Sequence, residues 1–225
     1  MIQLPLQVTL NDNASFANFV AGENGEALAA VQGDTQRVIY LWGTSASGKT
    51  HLLQASCRKA AEQGLQAAYL PLAQMSELST TVLDDLEQLA LICLDDVQAV
   101  AGHAEWERAL FHLYNRVRDS GARLLVAADT APAALPITLP DLASRLSWGL
   151  VLQLRPLQDA GKLTALQQRA RNRGIELPDE VGRFLLARFT RDLPGLLEFL
   201  QRLDLASLAA QRKLTIPLVR QLINN

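Results

Sequence analysis

The stretch from Trp42 to Leu53, WGTSASGKTHLL, constrains the fold of this chain more than any other part of the sequence. Its residues 43–50, GTSASGKT, match the pattern G-x-x-x-x-G-K-[ST] in full. A β-branched and aromatic run, Arg37–Gly43, precedes the pattern, and a helical periodicity, Thr50–Gln63, follows it. A glycine-rich turn between a strand and a helix directs backbone N–H groups at bound phosphates, and the helix N-terminus adds partial positive charge. The stretch therefore predicts a phosphate-binding loop, and the alternative is a chance match in a turn.

Each residue type in this loop has a physical role toward a nucleotide. The Lys49 ammonium would neutralise the β- and γ-phosphates, and the Thr50 hydroxyl would ligate Mg²⁺. The remaining loop residues, whose backbone would wrap the phosphates, are Gly43, Thr44, Ser45, Ala46, Ser47 and Gly48. The expected cofactors are therefore ADP or ATP, together with Mg²⁺.

The chain beyond the loop alternates apolar runs with helical periodicities. The further strands are expected at Ala67–Leu72, Leu89–Asp96, Arg123–Asp129 and Trp148–Leu154. The helices between them are expected at Glu77–Gln88, His103–Ser120 and Pro140–Leu146. Strands that alternate with helices predict a parallel sheet with right-handed crossovers. The fold class expected is α/β, with a five-stranded parallel sheet of the P-loop type and helices on both faces.

The pattern changes after Pro156, because only helical periodicities remain. These helices are expected at Asp159–Arg173, Asp179–Phe189, Leu193–Gln211 and Pro217–Leu222. The expected organisation is a loose arm over residues 1–14, a nucleotide-binding domain over 15–155 and a small helical lid domain over 156–225.

Carboxylates end two of the expected strands. Asp95 and Asp96 close the buried run LALICLDD, and Asp129 closes RLLVAAD. Ligands bind at the carboxyl ends of parallel strands, so these groups are expected beside the phosphates. Asp95 is the expected metal-side residue, Asp96 the expected base or water-positioning group, and Asp129 a group that orients water or senses the γ-phosphate. The alternatives are a solvated loop start for the Asp pair and an N-cap or turn residue for Asp129.

Charge and hydropathy exclude several classes of function. The net charge is −2, which gives no global attraction to nucleic acid, so strong direct DNA binding is not expected. Residues 1–155 hold 10 Lys/Arg against 16 Asp/Glu, whereas residues 156–225 hold 11 against 7. The basic C-terminal part could meet an acidic partner or could simply present solvated helix faces. The start has no leader-like pattern and no segment is apolar enough to span a membrane, so a cytoplasmic location is expected.

Several stretches, taken together, resemble a known family. NFVAG, GTSASGKTHLL, LICLDDVQ, LPDLASRLSWGL and TRDLPGLL are similar, in this order, to stretches of the bacterial initiator DnaA. The resemblance covers most of residues 15–200 and implies the AAA+ class. DnaA continues into a DNA-binding domain that does not fit in this length, and LPDLASRL, AQRKLTIP and an N-terminal QLPL look more like the Hda family of DnaA-related regulators.

The resemblance implies roles for four further residues. Arg145, in ASRLSWG, looks like the arginine finger that reaches a neighbouring subunit's nucleotide. Arg191, in TRDLPG, looks like the lid arginine that touches the phosphates of the chain's own nucleotide. Phe19 and Val20 match the region that packs near adenine. The alternatives are surface ion pairs for the arginines and ordinary core packing for Phe19 and Val20.

The N-terminal tetrapeptide Gln3-Leu4-Pro5-Leu6 resembles the start of a motif that binds the DNA polymerase sliding clamp. In an extended peptide, the two leucines could enter apolar pockets while the glutamine forms hydrogen bonds. Family motifs usually continue with an aromatic residue or a Pro-Leu pair, whereas this chain continues with Gln7-Val8. The alternative is a frayed terminus.

The resemblance implies a negative regulator of DNA replication initiation. It would bind ADP or ATP, attach to the sliding clamp and so to the nucleoid, and promote hydrolysis of the ATP bound to DnaA. Its own ATPase activity would be weak at most, because the arginine finger acts on the nucleotide of DnaA. A self-sufficient AAA+ ATPase and a helicase-loader-like adaptor remain alternatives, and a homodimer is one assembly that the sequence leaves open.

Overall fold

The computed structural model describes residues 14–188, 195–196, 199–200 and 215–223. The described part divides into two compact units. The first contains residues 14–19 and Asn24–Pro156, and the second contains Val20–Glu23 together with the described residues from Leu157 onward.

A five-stranded sheet forms the centre of the first unit. Its strands are β1 (Val38–Trp42), β2 (Ala67–Pro71), β3 (Leu91–Asp95), β4 (Arg123–Ala128) and β5 (Leu150–Gln153). The spatial order is β2-β3-β4-β1-β5, and every neighbouring pair is parallel. All five strands lie within one or two residues of the ranges expected from the sequence, so this part of the prediction is confirmed.

Helices cover both faces of the sheet. The helices of the first unit are α1 (Gly25–Gln32), α2 (Lys49–Glu62), α3 (Leu72–Met75), α4 (Ala104–Ser120) and α5 (Pro140–Leu146). Alternate residues of β1 point to opposite faces, so Ile39 and Leu41 pack with α1 and α2, whereas Tyr40 packs with α3, α4 and α5. Burial on both faces explains why β1, β3 and β4 read as continuous apolar runs.

The prediction of a continuous helix over Glu77–Gln88 is wrong. This segment instead forms two short 3₁₀ turns, Thr80–Leu83 and Leu86–Gln88. The Ser79 hydroxyl accepts a hydrogen bond from the Thr81 N–H, which starts the first turn anew. Asp85 then adopts a left-handed conformation with φ +61°, which ends any helical run.

The second unit is helical where it is described. Its helices are α6 (Asp159–Arg171), α7 (Asp179–Arg188) and α8 (Ile216–Ile223). Apolar side chains of this unit form a separate core that includes Leu166, Val181, Leu185, Phe199 and Val219. The expected helix Leu193–Gln211 and the expected arm over residues 1–14 lie almost wholly outside the described residues. Among the helices described, none is long and apolar enough to cross a membrane.

Candidate nucleotide-binding site

The loop that matches the phosphate-binding pattern, residues 43–50, connects β1 to α2 in a conformation that requires glycine at two positions. A Cβ on Gly43 would overlap the carbonyl oxygen of Leu154. Gly48 has φ +99°, and a Cβ there would lie 2.8 Å from Cε2 of Phe19. The close approach and the left-handed backbone both explain why the two glycines of the pattern stand where they do.

Lys49 is buried and lies folded along the loop. Its Nζ donates hydrogen bonds to the carbonyl oxygens of Gly43, over 2.7 Å, and Thr44, over 3.0 Å. Burial lowers the pKa of this ammonium below its usual range, while the carboxylates of Asp95, Asp96 and Asp129 act in the opposite direction. The structure thus places Lys49 close enough to interact electrostatically with all three strand-end carboxylates that the sequence predicts for the site.

A buried hydroxyl in the loop lacks a hydrogen-bond partner. Ser47 Oγ is buried, and it neither accepts nor donates a hydrogen bond within the described part of the chain. Buried polar groups are nearly always satisfied, so the Ser47 hydroxyl is free to form a hydrogen bond with a polar ligand. Ala46, one residue earlier, is held at φ +61°, which is uncommon for a non-glycine residue and exposes backbone in the turn. These features fit an anionic group with several acceptor oxygens, as a nucleotide phosphate is.

Asp95 joins the end of β3 to the start of α2. Its Oδ2 accepts hydrogen bonds from the Thr50 hydroxyl at 2.7 Å and from the Tyr69 hydroxyl at 2.8 Å. Its Oδ1 accepts the Asp96 N–H at 3.0 Å. Burial raises the pKa of Asp95, since only 1% of the residue is exposed, and the two hydroxyl hydrogen bonds partly offset that effect. Thr50 and Asp95 could therefore hold Mg²⁺ and its water from adjacent positions.

Asp96 and Asp129 are connected through a residue that sequence analysis did not assign. Gln98 Nε2 donates to Asp96 Oδ1 at 3.0 Å, and its Oε1 accepts the Asp129 N–H at 3.2 Å. Asp96 itself has φ +55°, so the backbone reverses there and its side chain leaves the direction of β3. The bridge holds the ends of β3 and β4 together. The spacing of Gln98, two residues after the Asp pair, was the available signal.

Phe19 and Val20 fall in different units of the structure. The Phe19 ring lies against Gly48 and packs at a tilt on His51, with ring centroids 5.3 Å apart. His51 Nε2 lies 2.9 Å from the Ser15 carbonyl oxygen, which ties this segment to α2. Val20 is half-buried and belongs to the second unit. Phe19 is therefore positioned beside the loop by contacts that the structure shows.

Arg145 lies near the end of α5. Its guanidinium carbon is 5.8 Å from the ring centroid of Trp148, a side chain whose residue is 46% exposed. Among the residues that the structure describes, Arg145 forms no ion pair, so its charge is not neutralised by a neighbouring carboxylate. Arg191 and the tetrapeptide Gln3-Leu4-Pro5-Leu6 lie outside the described residues.

Two family models match adjacent parts of the chain. Residues 10–153 match the bacterial DnaA ATPase domain, and residues 159–223 match the lid domain of Hda. The chain belongs to the Hda/DnaA-related AAA+ family. The resemblance inferred from short motifs is confirmed, and so is the α/β sheet followed by a helical lid domain.

Solved structures of the Hda/DnaA-related family and of other AAA+ proteins share the fold. Domain III of the Thermotoga maritima replication initiation protein DnaA aligns with TM-score 0.80 and 23% identity over 96% of this chain and 98% of that chain. AMPPCP-bound DnaA from Aquifex aeolicus aligns with TM-score 0.70 and 26% identity over 85% of this chain and 66% of that chain. A Thermotoga maritima RuvB variant aligns with TM-score 0.68 at 16% identity over 95% of this chain and 72% of that chain, which reflects the shared fold alone.

Proposed function

We propose that this DnaA-related protein is a negative regulator of replication initiation that binds ADP or ATP and promotes hydrolysis of the ATP bound to DnaA. The observation that carries the proposal is Arg145. It lies on a short helix beside a half-exposed tryptophan, and no carboxylate of the described residues pairs with it. An arginine that pairs with no carboxylate among the described residues is available to an anion on a partner.

The chain's own nucleotide would be held by the phosphate-binding loop. The Lys49 ammonium would move from the carbonyls of Gly43 and Thr44 to the phosphates, and the Ser47 hydroxyl would gain a partner. Thr50 and Asp95 would hold Mg²⁺, which would neutralise part of the charge of the phosphates. The solved structure of DnaA from Aquifex aeolicus is bound to AMPPCP, which supports an adenine nucleotide as the ligand of this chain. Asp96 and Asp129, bridged by Gln98, would orient water near the γ-phosphate.

Arg145 would act on the nucleotide of DnaA rather than on the chain's own. A guanidinium aimed at the transferred phosphoryl group stabilises charge that develops in the transition state, and it needs no proton transfer to do so. Its planar set of donors matches the geometry of phosphate oxygens. The lid residue Arg191 would contact the phosphates of the chain's own nucleotide, and Phe19 with Val20 would line the adenine side.

The tetrapeptide Gln3-Leu4-Pro5-Leu6 would attach the protein to the sliding clamp on newly replicated DNA. Such a tether raises the effective concentration of Arg145 near DnaA that occupies the same DNA. The location would then be cytoplasmic and associated with the nucleoid through the clamp. The formal net charge of −2 gives no reason for the protein to bind DNA strongly by itself.

A single-turnover assay with labelled ATP bound to DnaA, in the presence of DNA-loaded clamp, tests the proposal. Arginine fingers contribute about 10³–10⁵ in rate, so Arg145→Ala should remove nearly all stimulation. Arg118→Ala is the matched control, because Arg118 is an exposed arginine paired with Asp119 at 3.0 Å. It should retain full stimulation, since an exposed ion pair contributes only ~0–1 kcal/mol of stability.

Two further measurements, hydrolysis without DnaA and binding to the replicative helicase, separate the alternatives. Rapid hydrolysis by the protein without DnaA would indicate a self-sufficient ATPase. Binding to the replicative helicase in place of the clamp would indicate a loader-like adaptor. Unimpaired stimulation by Arg145→Ala would contradict the assignment of this arginine as the finger.

A further inference from the structure

The buried acid Glu107, on α4, accepts hydrogen bonds from two separate loops. Its Oε1 accepts the N–H groups of Gly102 at 2.7 Å and of Thr138 at 3.0 Å. Its Oε2 accepts the Thr138 hydroxyl at 2.7 Å and the Leu139 N–H at 2.8 Å. Only 1% of the residue is exposed, so these donors replace the water that a carboxylate would otherwise bind.

The hydrogen bonds keep Glu107 ionised inside the protein. Burial opposes ionisation, but the donated bonds from Thr138, Gly102 and Leu139 outweigh it and hold the pKa of Glu107 below its usual range. Hydrogen bonds to an ionised acceptor are roughly twice as strong as neutral ones. The carboxylate therefore holds the segment 138–139 firmly against α4.

That segment is the start of α5. Leu139 is the N-cap residue of α5, and a leucine side chain cannot accept a hydrogen bond from the first turn. Glu107 instead accepts the N–H of Leu139 itself and of Thr138 before it, and so fixes the segment that leads into the helix. Further along, Leu142 and Leu146 are fully buried in the same core as Trp106 and Leu110 of α4. The helix is thus anchored at its start by a charge and along one face by packing.

Arg145 lies in the last turn of this helix, directly before the buried Leu146. At ~1.5 Å per residue it lies about 9 Å along the axis from Leu139. A tilt of α5 at its start would therefore displace Arg145 and with it the guanidinium. We propose that Glu107 is a positioning residue: by fixing the start of α5, it sets the position from which Arg145 reaches the partner's nucleotide. This inference rests on the proposed function.

The test is Glu107→Gln with Glu105→Gln as the matched control. Both changes remove one negative charge from the first turn of α4, but Glu105 is exposed and accepts no hydrogen bond from a loop within the described part of the chain. The glutamine amide presents N–H groups to donors that need an acceptor, so segment 138–139 loses part of its anchor. Stimulated hydrolysis of DnaA-bound ATP should fall about 100-fold, the loss typical of a misplacement of ~1 Å. ADP affinity and clamp binding should not change.

Two further measurements distinguish positioning from general damage to the fold. Amide hydrogen exchange should accelerate in residues 138–148 of Glu107→Gln and remain unchanged in β1. The double variant Glu107→Gln/Arg145→Ala should be no slower than Arg145→Ala alone, because the two residues act through one group. Rates that multiply in the double variant would overturn the inference, since Glu107 would then act independently of Arg145.

The outcomes for the two proposals are separable. Full stimulation by Glu107→Gln beside an inactive Arg145→Ala would overturn the positioning role alone. Full stimulation by Arg145→Ala would remove the finger and the positioning role with it. If Glu107→Gln does not fold, Thr138→Val removes one donor and retains the side-chain shape. It should lower stimulation in the same direction by a smaller factor, and unchanged stimulation would again overturn the inference.

Discussion

The Thr50 hydroxyl donates a hydrogen bond to Oδ2 of Asp95 over 2.7 Å, which joins the first turn of α2 to the last residue of β3. Tyr69, from β2, donates to the same oxygen. The two residues expected on the metal side of the site are therefore in direct contact. Burial of this carboxylate raises the pKa of Asp95 and so disfavours its ionised form, whereas the hydrogen bonds from Thr50 and Tyr69 act in the opposite direction.

Asp95→Asn should stabilise the nucleotide-free protein at neutral pH. A carboxyl whose pKa is raised on folding contributes stability that is present below its unfolded pKa of about 3.9 and is lost as pH rises through the folded value. Asparagine cannot ionise, so it avoids that loss, and the Thr50 and Tyr69 hydroxyls can rotate to accept from its amide. Thermal melts from pH 3 to 8 should show a difference that appears as pH rises, with ~1 kcal/mol corresponding to about 2–4 °C.

The same variant should lose the Mg²⁺-dependent part of its nucleotide affinity, which calorimetry with and without Mg²⁺ measures. Asp119→Asn is the control, because Asp119 is exposed at the end of α4. The effect of this substitution on the melting temperature should not depend on pH in the way expected for Asp95→Asn. A lower melting point of Asp95→Asn at neutral pH would show that the hydrogen bonds to the carboxylate outweigh its burial.

Lys49→Ala should weaken ADP binding about 10- to 100-fold, since a charge-assisted contact contributes roughly 1.5–3 kcal/mol. Lys59→Ala is the matched control, because Lys59 lies on the same helix and donates to the Gln32 carbonyl at 2.7 Å, away from the loop. Calorimetric titration of both variants measures the difference. Equal ADP affinity in Lys49→Ala and the unsubstituted protein would exclude the loop as the phosphate site.

Gly48→Ala should destabilise the first unit and abolish nucleotide binding. Alanine at φ +99° is strained by roughly 1–3 kcal/mol, and its Cβ would meet the Phe19 ring. Gly25→Ala offers the contrast, because Gly25 opens α1 with no atom within 4 Å of its added Cβ, and the change should be neutral or stabilising. Urea unfolding of the two variants provides the comparison, and a stable, ADP-binding Gly48→Ala would refute the close-approach argument.

Deletion of residues 1–8 should abolish binding to the sliding clamp and leave the melting temperature nearly unchanged. Terminal residues tolerate removal when their backbone does not support the core. Surface plasmon resonance on immobilised clamp measures the first effect and thermal unfolding the second. Substitution of Leu4 and Leu6 by Ala should reproduce the loss of binding. Clamp affinity that survives the deletion would show that Gln3-Leu4-Pro5-Leu6 is not the tether.

The strands and the loop could be predicted because their signals are local. The apolar runs of β1, β3 and β4 follow from burial on both faces, and the glycines of the loop follow from its backbone geometry. The segment 77–88 could not be predicted in this way. Its composition permits a helix, but Ser79 interrupts it through a hydrogen bond from the Thr81 N–H and Asp85 through a left-handed turn, and residue composition specifies neither.

The sequence by itself determined which residues can do chemistry here: a lysine and a threonine after a glycine turn, carboxylates at strand ends, and an arginine in a short helix. Only the tertiary structure decided which groups touch. Tyr69 reaches Asp95 because β2 and β3 are neighbours, Gln98 bridges two strand ends, and Glu107 holds the start of α5 across 32 residues of chain. A hydrogen bond between distant residues depends on distance and direction, and neither is encoded in the local spacing of residue types.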